Sequence, residues 1–312
     1  MQKNLVSIVI PYFNHKFFIE ELLESIRNQN YKKIETILID DGSTDGSNKI
    51  LKSLQKKYNF LLVTQKNCGV CSALNVGINL AKGEFIKPIA SDDILLQNQI
   101  KDQVDTIKKT SHDVIAGGVT LIKKNSKVLN YLKPRKLGKI LFEDIIFNNP
   151  VYAPSIFFRA SSFVKYGKFE EHNPIDDFSI LLQMASQNAA IYNYNKNWAF
   201  YRVSEKNYLK KAKWYLEGVL ITLSSYSQNS IIKRAINYHN FIYILKTSLF
   251  IGYTKKNSFI KIFENDEIFL NKIIKYLIII LAAFLPNFIR QIIQKKIIYK
   301  SAKMLSISNL FN

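Results

Sequence analysis

Three pairs of adjacent aspartates punctuate this 312-residue chain: Asp40-Asp41, Asp92-Asp93 and Asp176-Asp177. Two like charges side by side near the end of a buried strand are costly unless something satisfies them. Such pairs have three common uses. They hold a divalent cation together with substrate oxygens, accept hydrogen bonds from a neutral ligand, or take a proton from a hydroxyl. The plain alternative is local. Asp and Ser in ILIDDGSTDGS (37–47) suit a turn and a helix cap, and Asp92-Asp93 suits the cap of a helix over 94–108. Asp176 and Asp177 would open a helix, where the dipole favours acids. Cys68-Gly69-Val70-Cys71 is a lone C-x-x-C, and the four histidines (15, 112, 172, 239) are scattered. Neither a zinc site nor a redox pair is expected.

The elements that must position these acids are legible as patterns. VSIVI (6–10), IETILID (34–40), FLLVT (60–64) and EFIKPIA (84–90) read as strands. Helical spacing over 15–29, 48–58 and 70–83 separates them, and Gly83 is expected to cap the last of these. Alternating strands and helices imply a mixed, mostly parallel sheet flanked by helices, with ligands at the carboxyl ends of the strands. Asp40-Asp41 and Asp92-Asp93 fall at such ends. Beyond a strand at 113–119 the pattern is mixed: strand, short helix and turn over 155–169, then a helix over 176–187. From Trp214 onward it is helical, with Leu216, Leu220 and Leu223 on one face.

Charge is unevenly spread. Residues 1–212 hold 30 Lys/Arg against 20 Asp/Glu, whereas residues 213–312 hold 14 against 4. A C-terminal third that is basic and apolar together suits membrane lipids, phosphates or nucleic acid. RQIIQKKIIYK (290–300) alternates apolar and basic positions like a surface-lying helix. The most lipid-like stretch, 276–285, is half the roughly 20 residues of a spanning helix. Two cysteines and no secretory pattern point to the cytoplasm. Aromatic residues in the basic third raise single-stranded nucleic acid as a ligand, but no compact nucleic-acid motif accompanies them, so none is expected as a partner.

VSIVIPYFN, ETILIDDGSTDGS, NCGVCSALNVGINLAKGEFI, ASDD and GKFEEHNPIDDFSILLQMA occur in an order that resembles family 2 glycosyltransferases of the GT-A fold, over residues 4–205. The resemblance implies a Rossmann-like nucleotide-sugar half (1–110), an acceptor half (111–212) and a helical extension (213–312). It implies a nucleotide-sugar donor, most often UDP-linked, and Mn²⁺ or Mg²⁺. By the same resemblance Pro11 and Phe13 line the base pocket, Asp41 accepts from the base, and Asp40 is more structural. Asp92 and Asp93 match the metal position, with Ser91 and Asn75 beside the donor. Asp177 matches the base that deprotonates the acceptor, with Asp176 its neighbour and substitute. Arg202 matches a phosphate contact.

The chain departs from the family pattern at three places. Ala90 replaces the first acid of Asp-Ser-Asp-Asp, Leu74 an arginine, and Ser204 the histidine of Tyr-Arg-x-His. The expected function is an inverting hexosyl or N-acetylhexosaminyl transfer to a lipid-linked, lipopolysaccharide or capsule saccharide. The protein would work peripherally on the inner face of a bacterial-type membrane, held by its C-terminal third. The competing classes are a degenerate, non-catalytic binding homologue and a basic nucleic-acid module.

Overall fold

The computed structural model describes residues 1–203, 208–226 and 230–251. The chain divides into two units, Met1–Ser204 and Glu205–Asn312.

Unit 1 begins with β1 (Gln2–Tyr12), α1 (Ile19–Arg27), β2 (Ile34–Asp40), α2 (Ser47–Tyr58), β3 (Leu61–Thr64), α3 (Val70–Leu80) and β4 (Gly83–Pro88). These four strands pair in parallel in the order β3-β2-β1-β4. The period-2 alternation decides which face each residue serves. Val6, Ile8, Ile10 and Leu38 pack against Leu22, Leu23 and Ile26 of α1 and Leu51 and Leu54 of α2. Ile37 and Ile39 point the other way, onto Ala73 of α3. Each fully buried Leu or Ile of this kind contributes about 1.5–3 kcal/mol, so the strand register is firmly held.

Then follow α4 (Gln99–Lys108), β5 (Val114–Ile122), β6 (Val128–Leu132), β7 (Gly138–Ile140), α5 (Phe142–Asn148), a 3₁₀ turn (Ala153–Ser155), β8 (Phe157–Arg159), α6 (Ala160–Tyr166), α7 (Asp176–Ser186) and β9 (Ile191–Arg202). The sheet continues β4-β8-β5-β9-β7, and β6 pairs with the far end of β5. β8 runs antiparallel to both β4 and β5, and β9 runs parallel to β5. The carboxyl ends of β2, β4, β5 and β9 therefore lie along one edge of the sheet. All three acid pairs belong to that edge or to the segments that meet it.

Several elements differ from the sequence reading, among them the start of β4, the strands β6, β7 and β9, and the helix α5. Gly83 opens β4 instead of capping α3, which ends at Leu80 with Ala81 as its cap. A Cβ there would come within 2.6 Å of Ser7 Oγ and 2.8 Å of Leu5 O, so close approach to β1 demands the glycine. β9 was not anticipated: IYNYNKNWAFYR intersperses Asn and Lys, and register shifts against β5 break its alternation.

A buried lysine ties the two halves of the sheet together. Lys87 of β4, wholly inaccessible, donates to Pro88 O (3.1 Å), Pro154 O (2.6 Å) and Ile156 O (3.0 Å). Burial lowers its pKa to about 7, opposed by the Asp93 carboxylate.

In unit 2, α8 (Tyr208–Ser224) packs on α9 (Ser230–Ile251), burying Val219, Leu223, Ile232 and Ala235. No helix among the described residues is long and apolar enough to cross a membrane. Ser204 and the basic segment 252–312 lie outside the described residues.

Candidate active site

The first pair closes β2. Asp41 is buried, and its carboxylate accepts from Gln65 Nε2 (2.7 Å), Cys68 N (2.8 Å) and Gly69 N (2.9 Å). It thereby ties the β2 end to the loop that opens α3. Asp40 is also buried. Its Oδ1 accepts from Ser43 N (3.0 Å), while Oδ2 has no hydrogen-bond partner. An orphaned buried carboxylate oxygen is unusual and points to an interaction the free chain does not supply. Pro11 is half-buried on β1 beside Ile39, and Phe13 just beyond is 42% exposed. An exposed ring next to buried carboxylates is the arrangement a flat polar ligand needs.

The second pair follows β4. Asp93 is 2% exposed and its Oδ1 accepts from the Arg202 backbone N–H (2.8 Å). Burial, then repulsion from Asp92, pushes its pKa well above the ordinary carboxylate range. Asp92 is half-buried, and its carboxylate makes no hydrogen bond among the described residues. Ser91 is hydrogen-bonded to His15 Nδ1 (2.8 Å).

Arg202 locks this loop. Its Nε donates to Asp92 O (2.6 Å), Nη1 to Lys123 O, Lys124 O and Ser126 Oγ, and Nη2 to Glu21 Oε2 (2.6 Å). The guanidinium also lies over the Phe18 ring at 4.9 Å. Each of its nitrogens is engaged by the protein and the residue is 6% exposed. This differs from the expected phosphate contact. Asn75 differs in the same way: its side chain accepts from Phe169 N (3.0 Å) and donates to Phe169 O (2.9 Å), pairing α3 with the loop before α7.

The third pair opens α7. Asp177 Oδ2 accepts from Asn149 Nδ2 (3.3 Å), and the Asn149 Oδ1 accepts from Val151 N (3.1 Å). Burial and the adjacent Asp176 push the Asp177 pKa up to about 7, against the helix-end amides of Asp177 and Phe178 and the Arg135 charge. Asp176 is likewise raised, by burial. Two opposing effects were foreseeable from sequence, repulsion and helix dipole; desolvation decides the balance.

Tyr201 joins the pairs. Its phenol is pushed upward first by burial and then by Asp93, Asp177, Asp92 and Asp176, so four carboxylates act on one ring. The loop before α7 also meets the start of α3. Cys71 Sγ donates to Asn173 O (3.1 Å), and burial, Asp176, Glu170 and Asp177 raise that thiol's pKa. Asn149, His15 and Arg135 have no role in the sequence reading, and Tyr201 stands there only as the first residue of the Tyr-Arg-x-His match. Only the Asn148-Asn149-Pro150 turn carried a local signal.

A family comparison decides what this edge belongs to. The model of glycosyl transferase family 2 matches residues 7–167, just over half of the chain. The chain belongs to glycosyl transferase family 2. Among curated bacterial relatives, glycosyltransferase GlyG of Streptococcus pneumoniae is 37% identical over 115 residues, covering 36% of this chain and 38% of that protein. An uncharacterized glycosyltransferase of Rickettsia typhi is 35% identical over 178 residues, 54% of each chain. The family 2 chain thus spans about a third to a half of these relatives. Among solved structures, S. aureus TarS 1-349 in complex with UDP-GlcNAc superposes with a TM-score of 0.57 at 18% identity, over 97% of this chain and 89% of that one. The mannosyltransferase PcManGT from Pyrobaculum calidifontis, in complex with GDP-Man and Mn²⁺, gives 0.57 at 17% identity over 77% and 70%. These likenesses show the GT-A fold.

Proposed function

We propose that this protein is an inverting glycosyltransferase that moves a sugar from a nucleotide sugar, UDP-linked in the leading case, to a saccharide acceptor. The observation that carries the proposal is the placement of Asp40-Asp41 at the end of β2 and of Asp92-Asp93 after β4, on the sheet edge where Arg202 at the end of β9 donates its backbone N–H to Asp93, with Asp177 held by Asn149 at the start of α7. The donor base would lie against Phe13 and Pro11 and donate to Asp41 or to the unpartnered Asp40 oxygen. Asp92 and the free oxygen of Asp93 fit a divalent cation whose remaining shell comes from phosphate oxygens. A bound Mn²⁺ or Mg²⁺ would neutralise charge on the departing diphosphate. Ser91 would sit beside the diphosphate, fixed by His15. Asn75 and Arg202 would hold this frame and not touch the donor.

Asp177 would take the proton of the acceptor hydroxyl as its oxygen bonds to the anomeric carbon and the bond to the diphosphate breaks. Its raised pKa suits a base that must be partly ionised at neutral pH yet avid for a proton. Asn149 and Asp176 would position it. The acceptor would be a lipid-linked, lipopolysaccharide or capsule saccharide at the inner membrane face. The basic composition of residues 213–312 supports that setting.

A panel of labelled sugar nucleotides tests the donor, read by transfer and by thermal shift. Stabilisation by one UDP-sugar with Mn²⁺, lost in Asp92→Ala, is the expected result. Tight, salt-dependent binding of RNA or DNA with no effect of any nucleotide sugar would refute the enzyme.

A further inference from the structure

Asp177 is aimed by a turn from outside its own helix. Asn149 Nδ2 donates to Asp177 Oδ2 (3.3 Å), while Asn149 Oδ1 accepts from Val151 N (3.1 Å). The Val151 N–H needs an acceptor, so the amide cannot flip without losing a bond, and its NH₂ end faces the carboxylate. Pro150 between them has no N–H, and its carbonyl accepts from Asn193 Nδ2 of β9 (3.0 Å).

One anchor of this turn is charged. Arg135, in the connection between β6 and β7, donates through Nη1 to Asn148 Oδ1 (2.8 Å) and to Asn149 O (3.0 Å). Its guanidinium lies 5.5 Å from the centre of the Tyr152 ring, whose hydroxyl donates to Lys133 O (3.2 Å). One tyrosine thus covers the cation and fastens the connection that carries it. The plain account of these bonds is a helix cap, since Asn148 and Asn149 close α5, where free carbonyls favour a cation. The charges at Asp177 point further. Asp176 on α7 repels the ionised carboxylate, and Arg135 attracts it. Tyr201 of β9 and Cys71 of α3 also feel Asp177, but both are pushed upward and stay neutral around pH 7. The guanidinium is then the cation that opposes burial and Asp176.

We propose that Arg135 is a positioning residue for the acceptor base: it anchors the Asn149 turn that aims Asp177 and supplies the cation that favours the deprotonated carboxylate. The role rests on the transferase reading for its purpose, whereas the coupling of Arg135 to Asp177 needs no donor. A residue that only capped α5 would hold the turn and leave the titration of Asp177 where it is.

Full-length protein with ¹³C-labelled aspartate side chains reads the coupling in the absence of substrate, and Asp177→Asn assigns the signal. In Arg135→Met the titration midpoint of Asp177 should rise by about half a pH unit or more. Arg135→Gln keeps a donor for the turn without the charge; it should move with the Met variant and serves if that variant fails to fold. Arg135→Lys keeps the charge and should stay near the parent. In a transfer assay the acid limb of kcat/KM should climb with the midpoint in the neutral variants. Arg135→Lys should keep the limb and lose about 10-fold in kcat, because a rotating ammonium holds two acceptors less firmly than a planar guanidinium. An unmoved midpoint in the neutral variants overturns the proposal, and so does an equal rise in Arg135→Lys. A midpoint that moves in a protein that transfers no sugar from any nucleotide sugar would instead overturn the transferase reading, with the coupling left standing.

Discussion

Asp177 is a carboxylate under load. Half-buried beside Asp176, it holds a proton up to about pH 7, against 3.8 for an ordinary aspartate. For a base the sign is simple: transfer should fall as pH drops through about 7, with an acid limb near that value in kcat/KM. A limb below pH 5 would show that another group takes the proton. Asp177→Asn should keep donor binding and lose at least about 100-fold in transfer. The same residue has a stability sign. An acid whose folded pKa is raised stabilises the fold fully below its unfolded value and loses that contribution as pH climbs toward the folded one. Asp177→Asn should therefore melt higher than the parent at pH 8, with the gain shrinking toward pH 4. A lower melting temperature at pH 8 would mean the ionised carboxylate is better satisfied than its burial implies.

At the level of elements, the working edge is set by strand direction and by clamps that hold loops to it. Arg202 is the clearest clamp, joining the Asp92-Asp93 loop, the turn at 123–126 and Glu21 of α1. Arg202→Met would leave several carbonyls without a donor, costing about 3 kcal/mol and roughly 6–12 °C in Tm. Arg202→Lys should recover little, because an ammonium cannot reproduce the fork. Substantial rescue by Lys would favour a plain charge contact with phosphate. Much of this edge could be read from residue pattern. β2, the helix over 48–58 and the helix opened by Asp176 announced themselves by period and by acids at strand and helix ends. β9 did not, since its buried positions are partly Asn and its alternation is broken by bulges. The clamps did not either. Whether an arginine or asparagine meets ligand or backbone depends on residues such as Phe169 and Lys123, which lie far away in sequence.

For the whole molecule, the expectation is contact with an anionic membrane through the basic C-terminal third. Removing residues 270–312 should reduce membrane retention and leave donor hydrolysis measurable; full retention would assign docking to the rest of the chain. Scarcity on the same scale has a practical outcome. The chain has two cysteines, and the fold treats them oppositely. Cys71 is buried, its thiol pushed toward the unreactive neutral form, whereas Cys68 is exposed and its backbone N–H is one of those that hold Asp41. A thiol-directed fluorophore should mark one position in native protein and two after unfolding. Because that position borders the proposed base pocket, a bound nucleotide sugar should slow the labelling. The wild-type chain would then report its own donor occupancy, and an unchanged labelling rate would place the base elsewhere.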